Sequence, residues 1–237
     1  MLECEALAVT YPDGFRALRG ITLRVPSGSF LGICGANGSG KSTLALALGG
    51  IIPQAIEAQV GGAVLLDGKP LPPLNEIARS VGILFQDAES QIVSVTAEEE
   101  ASFVTDNLGM PRRRALAAMR LMGILRLRGR LTTELSEGEK QRLLLSSLLA
   151  AEPSVLILDE PSAFLDSRGV RDLYEALLRL KKRGKTIVCA EQNTALLAKI
   201  ADDVVVLKEG RVAAGGRMVL RREKLLSSLG VCSPHDF

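Results

Sequence analysis

The chain has 237 residues, 47% of them hydrophobic and 24% charged, with 3% aromatics and no tryptophan. That is enough length and apolar content for one large globular unit, and a net charge of +2 is too small to answer a nucleic-acid polyanion. No apolar run approaches the ~18 residues that span a bilayer, and the opening MLECEALAVTY lacks the basic and apolar regions of a signal peptide. Any membrane connection is therefore expected to come through a partner.

In chain order, short β-like runs come first: Leu2–Thr10, Ile21–Val25 before a Pro-Ser-Gly turn, and Ala63–Leu66 before Asp67-Gly68. Phe30–Cys34 is an apolar strand that enters a glycine loop and then a helical pattern over Thr43–Leu48. Val81–Phe85 reads as a further buried strand. From Glu98 to Ala151 the Leu/Met/Ala periodicity is helical. The basic residues from Arg112 to Arg130, spaced by Leu, Ala and Met, read as a solvated helix face, with a docking surface as the alternative. Pro153 stops that region, and strands at Val155–Leu158, Thr186–Ala190 and Val204–Leu207 alternate with helices at Val170–Arg183 and Thr194–Ala201. Strands alternating with crossover helices imply a parallel sheet. The fold expected is α/β with a parallel-sheet core, an N-terminal antiparallel β subdomain and an inserted helical subdomain. As one unit over 1–237, the core and β subdomain would take 1–86 and 152–214, the helical subdomain 87–151, and a short tail 215–237. The four cysteines have no CxxC spacing, and Cys34 and Cys189 lie in apolar strands, as reduced core thiols do.

Gly35-Ala36-Asn37-Gly38-Ser39-Gly40-Lys41-Ser42-Thr43 matches G-x-x-x-x-G-K-[ST] between a strand and a helix, which makes it a P-loop and the fold that of a P-loop NTPase. The glycines let backbone N–H groups converge on phosphate oxygens, and the helix start adds its positive end. Lys41 would reach the β- and γ-phosphates of ATP, and the Ser42 hydroxyl would ligate Mg²⁺. The apolar strand Val155–Leu158 ends in Asp159-Glu160. The first acid would hold Mg²⁺ through its water shell, and the second would polarise an attacking water. The segment Leu135-Ser136-Glu137-Gly138-Glu139-Lys140-Gln141-Arg142 reads first as a capping box, Ser136 with Glu139. A helix start with a free Ser hydroxyl and the Gly138 amide is also an anion site.

The three segments in this order resemble the ABC-type ATPases, whose signature LSGGQ stands here as LSEGE. The resemblance covers nearly the whole chain. It implies that Tyr11, 24 residues before Gly35, stacks on adenine, and that Gln86 touches Mg²⁺ and relays to a membrane partner. It implies that Ser162-Ala163-Phe164-Leu165-Asp166 crosses a dimer interface. It also implies that two chains pack head to tail, with Ser136, Gly138 and Glu139 of one closing on the nucleotide of the other. The stretches Phe85-Gln86-Asp87-Ala88-Glu89-Ser90-Gln91, Thr96–Glu100 and Asn107–Pro111 resemble the energy-coupling factor ATPases, which drive prokaryotic uptake of vitamins or transition-metal ions. There Ala88 replaces a usual proline. The implied partners are integral-membrane transport subunits and a second ATPase subunit, and the implied place is the cytoplasmic face of the membrane. A conventional importer or exporter ATPase, and a soluble ABC regulator, are the alternatives at this point. A neighbouring reading frame for a multi-span membrane protein discriminates the last of these.

Gln192, after the strand Thr186–Ala190, stands where the family carries a histidine, and the chain's one histidine is His235. An amide donates a hydrogen bond to a phosphate oxygen but neither becomes cationic nor shuttles a proton. The expectation is slow hydrolysis by the chain alone, beside a second ATPase that keeps the histidine. Related ATPases often run longer past the tail and use that region for dimer contacts.

Overall fold

The computed structural model describes residues 1–87, 89–163 and 165–235. Ala88 of the FQDAESQ stretch, Phe164 of the SAFLD segment and the last two positions of the tail lie outside the described residues.

Two sheets are present. Strands β1 (Leu2–Thr10), β2 (Arg16–Val25), β4 (Gln59–Leu66) and β5 (Lys69–Pro70) form an antiparallel sheet in the order β2-β1-β4-β5. Strands β3 (Phe30–Gly35), β6 (Val81–Leu84), β7 (Val155–Asp159), β8 (Thr186–Ala190), β9 (Asp203–Lys208) and β10 (Arg211–Gly215) form the second, in the order β10-β9-β3-β8-β7-β6. All its neighbours are parallel except the β9–β10 pair. The expected α/β fold with an antiparallel N-terminal sheet is what forms.

Why the central strands are apolar without alternation follows from packing on both faces. Phe30, Cys34, Leu156, Leu158, Ile187, Cys189, Val204 and Val206 point into one core. Leu31, Ile33, Val155, Ile157, Val188, Ala190, Val205 and Leu207 point into the other. The second core also takes α1 (Lys41–Leu48) and the inner face of the antiparallel sheet, through Leu2, Leu7, Leu18, Leu44 and Leu48. One-turn helices α2 (Ile51–Gln54) and α3 (Leu74–Ile77) bridge to β4 and β6.

The first core is closed by helices. α4 (Ala97–Asn107) opens on a reciprocal cap between Thr96 and Glu99. It packs with α5 (Arg113–Leu121) and α6 (Glu137–Ala150) around Ala101, Ala115, Met119, Leu143 and Leu144. α7 (Ser167–Lys182), capped by Asp166, and α8 (Thr194–Ile200) cover the same face. The basic residues 112–130 lie as a solvated, ion-paired face: Arg112 with Asp106, Arg114 with Glu152, Arg128 with Glu98, Arg130 with Glu134. Beyond β10, a 3-10 turn (Arg217–Arg221) and α9 (Glu223–Ser228) fold back. Val219, Leu220, Leu226 and Val231 join the first core, and Thr194 Oγ1 donates to the Cys232 carbonyl at 2.8 Å. Cys4, Cys34 and Cys189 are buried free thiols, and Cys232 is exposed. No helix among the described residues is long and apolar enough to cross a membrane.

Candidate functional site

Three parallel strands end level. Ile33 of β3 pairs with Ala190 of β8, and Ala190 pairs with Asp159 of β7. The ladder runs one residue further, with Glu160 N donating to Ala190 O at 2.8 Å and Glu191 N to Ile33 O at 2.9 Å. The residues that leave the sheet next are therefore side by side at its carboxyl edge, the edge where ligands of open α/β sheets bind.

From β3 the chain enters the phosphate loop. A Cβ on Gly35 would stand 2.5 Å from Leu207 O and 2.5 Å from Ser39 Oγ. Gly40, at φ +103, would place its Cβ 2.9 Å from Ala17 O. Those two positions accept glycine alone, the first for space and the second for conformation as well. Lys41 is buried, and its Nζ donates to Gly35 O at 2.9 Å and Ala36 O at 3.3 Å, with Glu160 Oε1 at 3.6 Å. α1 begins with Gly40 at its N-cap, without any side-chain cap and with no acidic residue in its first turn. Its first amides and its positive end are thus turned to the loop.

Asp159 closes β7 at 6% exposure, and its Oδ1 is buried without a hydrogen-bond partner. Burial raises its carboxyl above the usual range; the Ser42 hydroxyl and Lys41 oppose that, and the charge of Glu160 adds to it. An orphaned buried carboxylate oxygen beside a serine hydroxyl suits a hard divalent cation, which takes oxygen ligands and keeps waters. Glu160 follows at φ +46, a left-handed conformation that non-glycine residues seldom adopt. Two amides grip its carboxylate. Gln192 Nε2 donates to Oε1 at 2.9 Å and Oε2 at 3.0 Å, and Gln86 Nε2 donates to Oε2 at 3.0 Å. Gln192 Nε2 also reaches Asn37 Oδ1 at 3.1 Å.

Asn37, Gly38, Gly40, Lys41, Ser42, Thr43, Gln86, Glu160 and Gln192 line one cavity of about 400 Å³. Gly35, Ala36 and Ser39 complete its loop, and the Asp159 carboxyl is hydrogen-bonded to Ser42. Tyr11 is placed differently. Half-buried against the core under α1, its hydroxyl lies 3.1 Å from Thr43 Oγ1. Among the described residues the aromatic that lines the cavity is Phe15, 57% exposed. Sequence reasoning did not single out Phe15. The one signal was an apolar ring in the turn Tyr11–Phe15, closed by Tyr11 N to Phe15 O at 2.9 Å.

Ser136, Gly138 and Glu139 line a separate cavity of about 650 Å³ with Arg126, Arg142 and Asp166. Among the described residues none lines both cavities. The capping box forms: Ser136 Oγ accepts from Glu139 N at 3.4 Å, and Glu139 Oε2 accepts from Ser136 N at 3.1 Å. Ser136 Oγ also donates to Glu139 Oε2 at 3.2 Å. The hydroxyl expected to be free is therefore engaged in the isolated chain. The Ser136 backbone amide is the main cause holding the Glu139 carboxyl below its usual range.

A phosphate loop, an acid pair at the end of β7 and a capped glycine-containing helix start define an ATPase of the ABC class. The ABC transporter family model matches residues 18–163, and the chain belongs to that family. Within it, the energy-coupling factor transporter ATP-binding protein of Carboxydothermus hydrogenoformans is 36% identical over 98% of this chain and 87% of that protein. The cobalt import ATP-binding protein of Rhodobacter capsulatus is 39% identical over 91% and 78%. The solved structure of cbiO1 from Clostridium perfringens, part of the ABC transporter complex cbiONQ, aligns with a TM-score of 0.83. It covers 97% of this chain and 94% of that one at 34% identity. The expected resemblance to the energy-coupling factor ATPases holds.

Proposed function

We propose that this chain is the ATP-hydrolysing subunit of an energy-coupling factor type uptake transporter for a vitamin or transition-metal ion. It would work as a peripheral subunit against integral-membrane partners at the cytoplasmic face. The observation that carries the reading is the convergence of Lys41, Ser42, Glu160, Gln86 and Gln192 on one cavity at the carboxyl edge of the sheet, with the Asp159 carboxyl hydrogen-bonded to Ser42 beside it. The amides of the 35–43 loop and Lys41 bind and orient the phosphates. Ser42, Asp159 and Gln86 would hold Mg²⁺, and the partnerless Asp159 oxygen is the feature that fits it. Bound there, the ion supplies charge neutralisation on the phosphate oxygens. Glu160 polarises the attacking water and takes its proton, while Gln86 and Gln192 aim its carboxylate.

For adenine, Phe15 offers an exposed ring on the cavity and Tyr11 a half-buried one tied to Thr43. Two chains would pack head to tail, because Ser136, Gly138 and Glu139 line a cavity separate from that of their own phosphate loop. Exposed Val93, Val95 and Leu131, around a cleft of about 520 Å³ beyond Gln86, support a membrane-subunit contact on the helical part.

The site is tested by Glu160→Gln, which is expected to keep ATP binding and to abolish turnover. Gln192 is the departure from the family pattern. With an amide in place of an imidazole, this subunit is proposed to hydrolyse slowly alone and to pair with a second ATPase that carries the histidine. Gln192→His is expected to raise the rate of the isolated chain. No change, in a chain already turning over briskly, defeats the asymmetric-pair reading. Uptake by cells co-expressing the chain with its neighbouring membrane subunits tests the transport role.

A further inference from the structure

Glu191 is a carboxylate without a task in the hydrolytic scheme above. It is 2% exposed, and burial pushes its carboxyl above the usual range against the donors that pull it down. Four donors from three parts of the chain converge on its two oxygens. Oε2 accepts from Ser162 Oγ at 2.7 Å and from the Tyr174 hydroxyl of α7 at 3.4 Å. Oε1 accepts from the backbone N–H of Gln192 at 2.9 Å and of Asn193 at 3.3 Å. None of the four is a cation, so the carboxylate keeps its place by hydrogen bonds alone.

Two of these donors belong to segments that carry site groups. Ser162 lies two residues beyond Glu160, and Gln192 grips the Glu160 carboxylate with its side chain. The contacts close a ring from Glu160 through Pro161 to Ser162, on to Glu191, across to Gln192, and back to Glu160. One further bond ties the ring to the helical part: buried Gln141 Nε2 of α6 donates to Pro161 O at 2.9 Å. α6 is the helix that starts at Ser136.

We propose that Glu191 is a positioning residue for hydrolysis, joining the Pro161-Ser162 segment and Gln192 into one unit. The aim of the Glu160 carboxylate then follows the place of that segment and of α6. The inference rests on the reading of Glu160 as the group that polarises water. The four donors all lie outside the 35–43 loop, so nucleotide affinity and turnover are separable: disturbing Glu191 changes kcat and leaves KM in place.

The test uses the full-length chain, with steady-state ATPase rates and the Kd of a fluorescent ATP analogue. Glu191→Gln keeps the shape but puts an NH₂ where one acceptor oxygen stood. It is expected to lower kcat roughly tenfold, the scale of a small misplacement of a reacting group, with KM and Kd within about twofold. Residues acting as one unit are not additive, so Glu191→Gln combined with Gln192→Ala is expected within about twofold of the slower single variant. Effects that multiply, a joint loss of affinity and rate, or an unchanged kcat each overturn the proposal. Ser162→Ala removes a single hydroxyl and carries the same test if Glu191→Gln does not yield folded protein. Glu160→Gln separates the two failures. If it still hydrolyses ATP, the reading of Glu160 falls and the inference with it; if it is silent while Glu191→Gln is fully active, the inference alone falls.

Discussion

Helix α1 starts after Gly40 with no side-chain cap and no acid in its first turn, whereas α6 starts after Ser136 with a reciprocal cap and Glu137 and Glu139 in its first turn. Both ends carry unpaired amides and a partial positive charge, which draw anions. At α1 that capacity is left to a ligand. At α6 the chain satisfies part of it with its own serine and glutamate. The carboxylates at the two places divide in the same way. Burial raises Asp159, whose Oδ1 lacks a partner, while the Ser136 amide is the chief cause lowering Glu139, and Arg126 lies 3.5 Å away. The lesson is that the first site is standing and the second conditional. A phosphate meeting α6 has to displace or share a hydrogen-bonded acid, and one meeting α1 does not.

Five substitutions break or sharpen this contrast. The largest effect is expected from Lys41→Ala, which removes the cation at the uncapped end. ATP affinity should fall by roughly a hundredfold, the scale of losing a buried charge pair, as read by calorimetric titration. Phe15→Ala comes next, with an expected loss of about tenfold in ATP affinity, within the range of one base–aromatic stack. Binding of inorganic tripolyphosphate should be unchanged, and a loss for both ligands, or for neither, removes Phe15 from base recognition. Ser136→Ala should cost about 1 kcal/mol of stability and about 2–4 °C in Tm, with the ATP Kd of the isolated chain untouched.

The smallest effect is a pair of opposite pH dependences in Tm, measured without metal or nucleotide. Asp159 has a raised native pKa, so its charged form weakens the fold once pH rises through that value. Asp159→Asn should therefore be more stable than the parent at neutral pH, an advantage that fades as pH falls below the ordinary aspartate range. Glu139 has a lowered native pKa, so its contribution is present at neutral pH and lost as pH falls through that value. Glu139→Gln should be less stable at neutral pH, and the difference should close in acid. Parallel curves for the two variants would erase the distinction between the two helix starts.

Much of the uncapped site was legible because its chemistry is local. The phosphate loop, the acid pair and Gln192 each follow an apolar run, and β8 begins and ends where its run does. Elements held by distant partners were not legible. The first half of β2, Arg16–Gly20, interrupts its two buried apolar residues with Arg16, Arg19 and Gly20, and becomes a strand by pairing with β1, with Arg19 N bonded to Gly210 O at 2.8 Å. β10 and α9 lie in a stretch without clear periodicity; β10 is fixed by pairing with β9, and the segment after it by burial of Val219, Leu220 and Leu226 in the first core. Phe15 and Glu191 escaped for a related reason. An exposed ring in a turn and an acid after a strand carry no pattern of their own, and only the partners across the sheet show what they face.

The folded-back tail has a practical side. Cys232 is the one exposed thiol in a chain whose other three cysteines are buried. Its carbonyl is tied to Thr194, one residue beyond Asn193, and a Cβ at nearby Gly230 would meet Ala36 of the phosphate loop at 3.4 Å. A maleimide dye on Cys232 would therefore form a single-site optical probe beside the nucleotide.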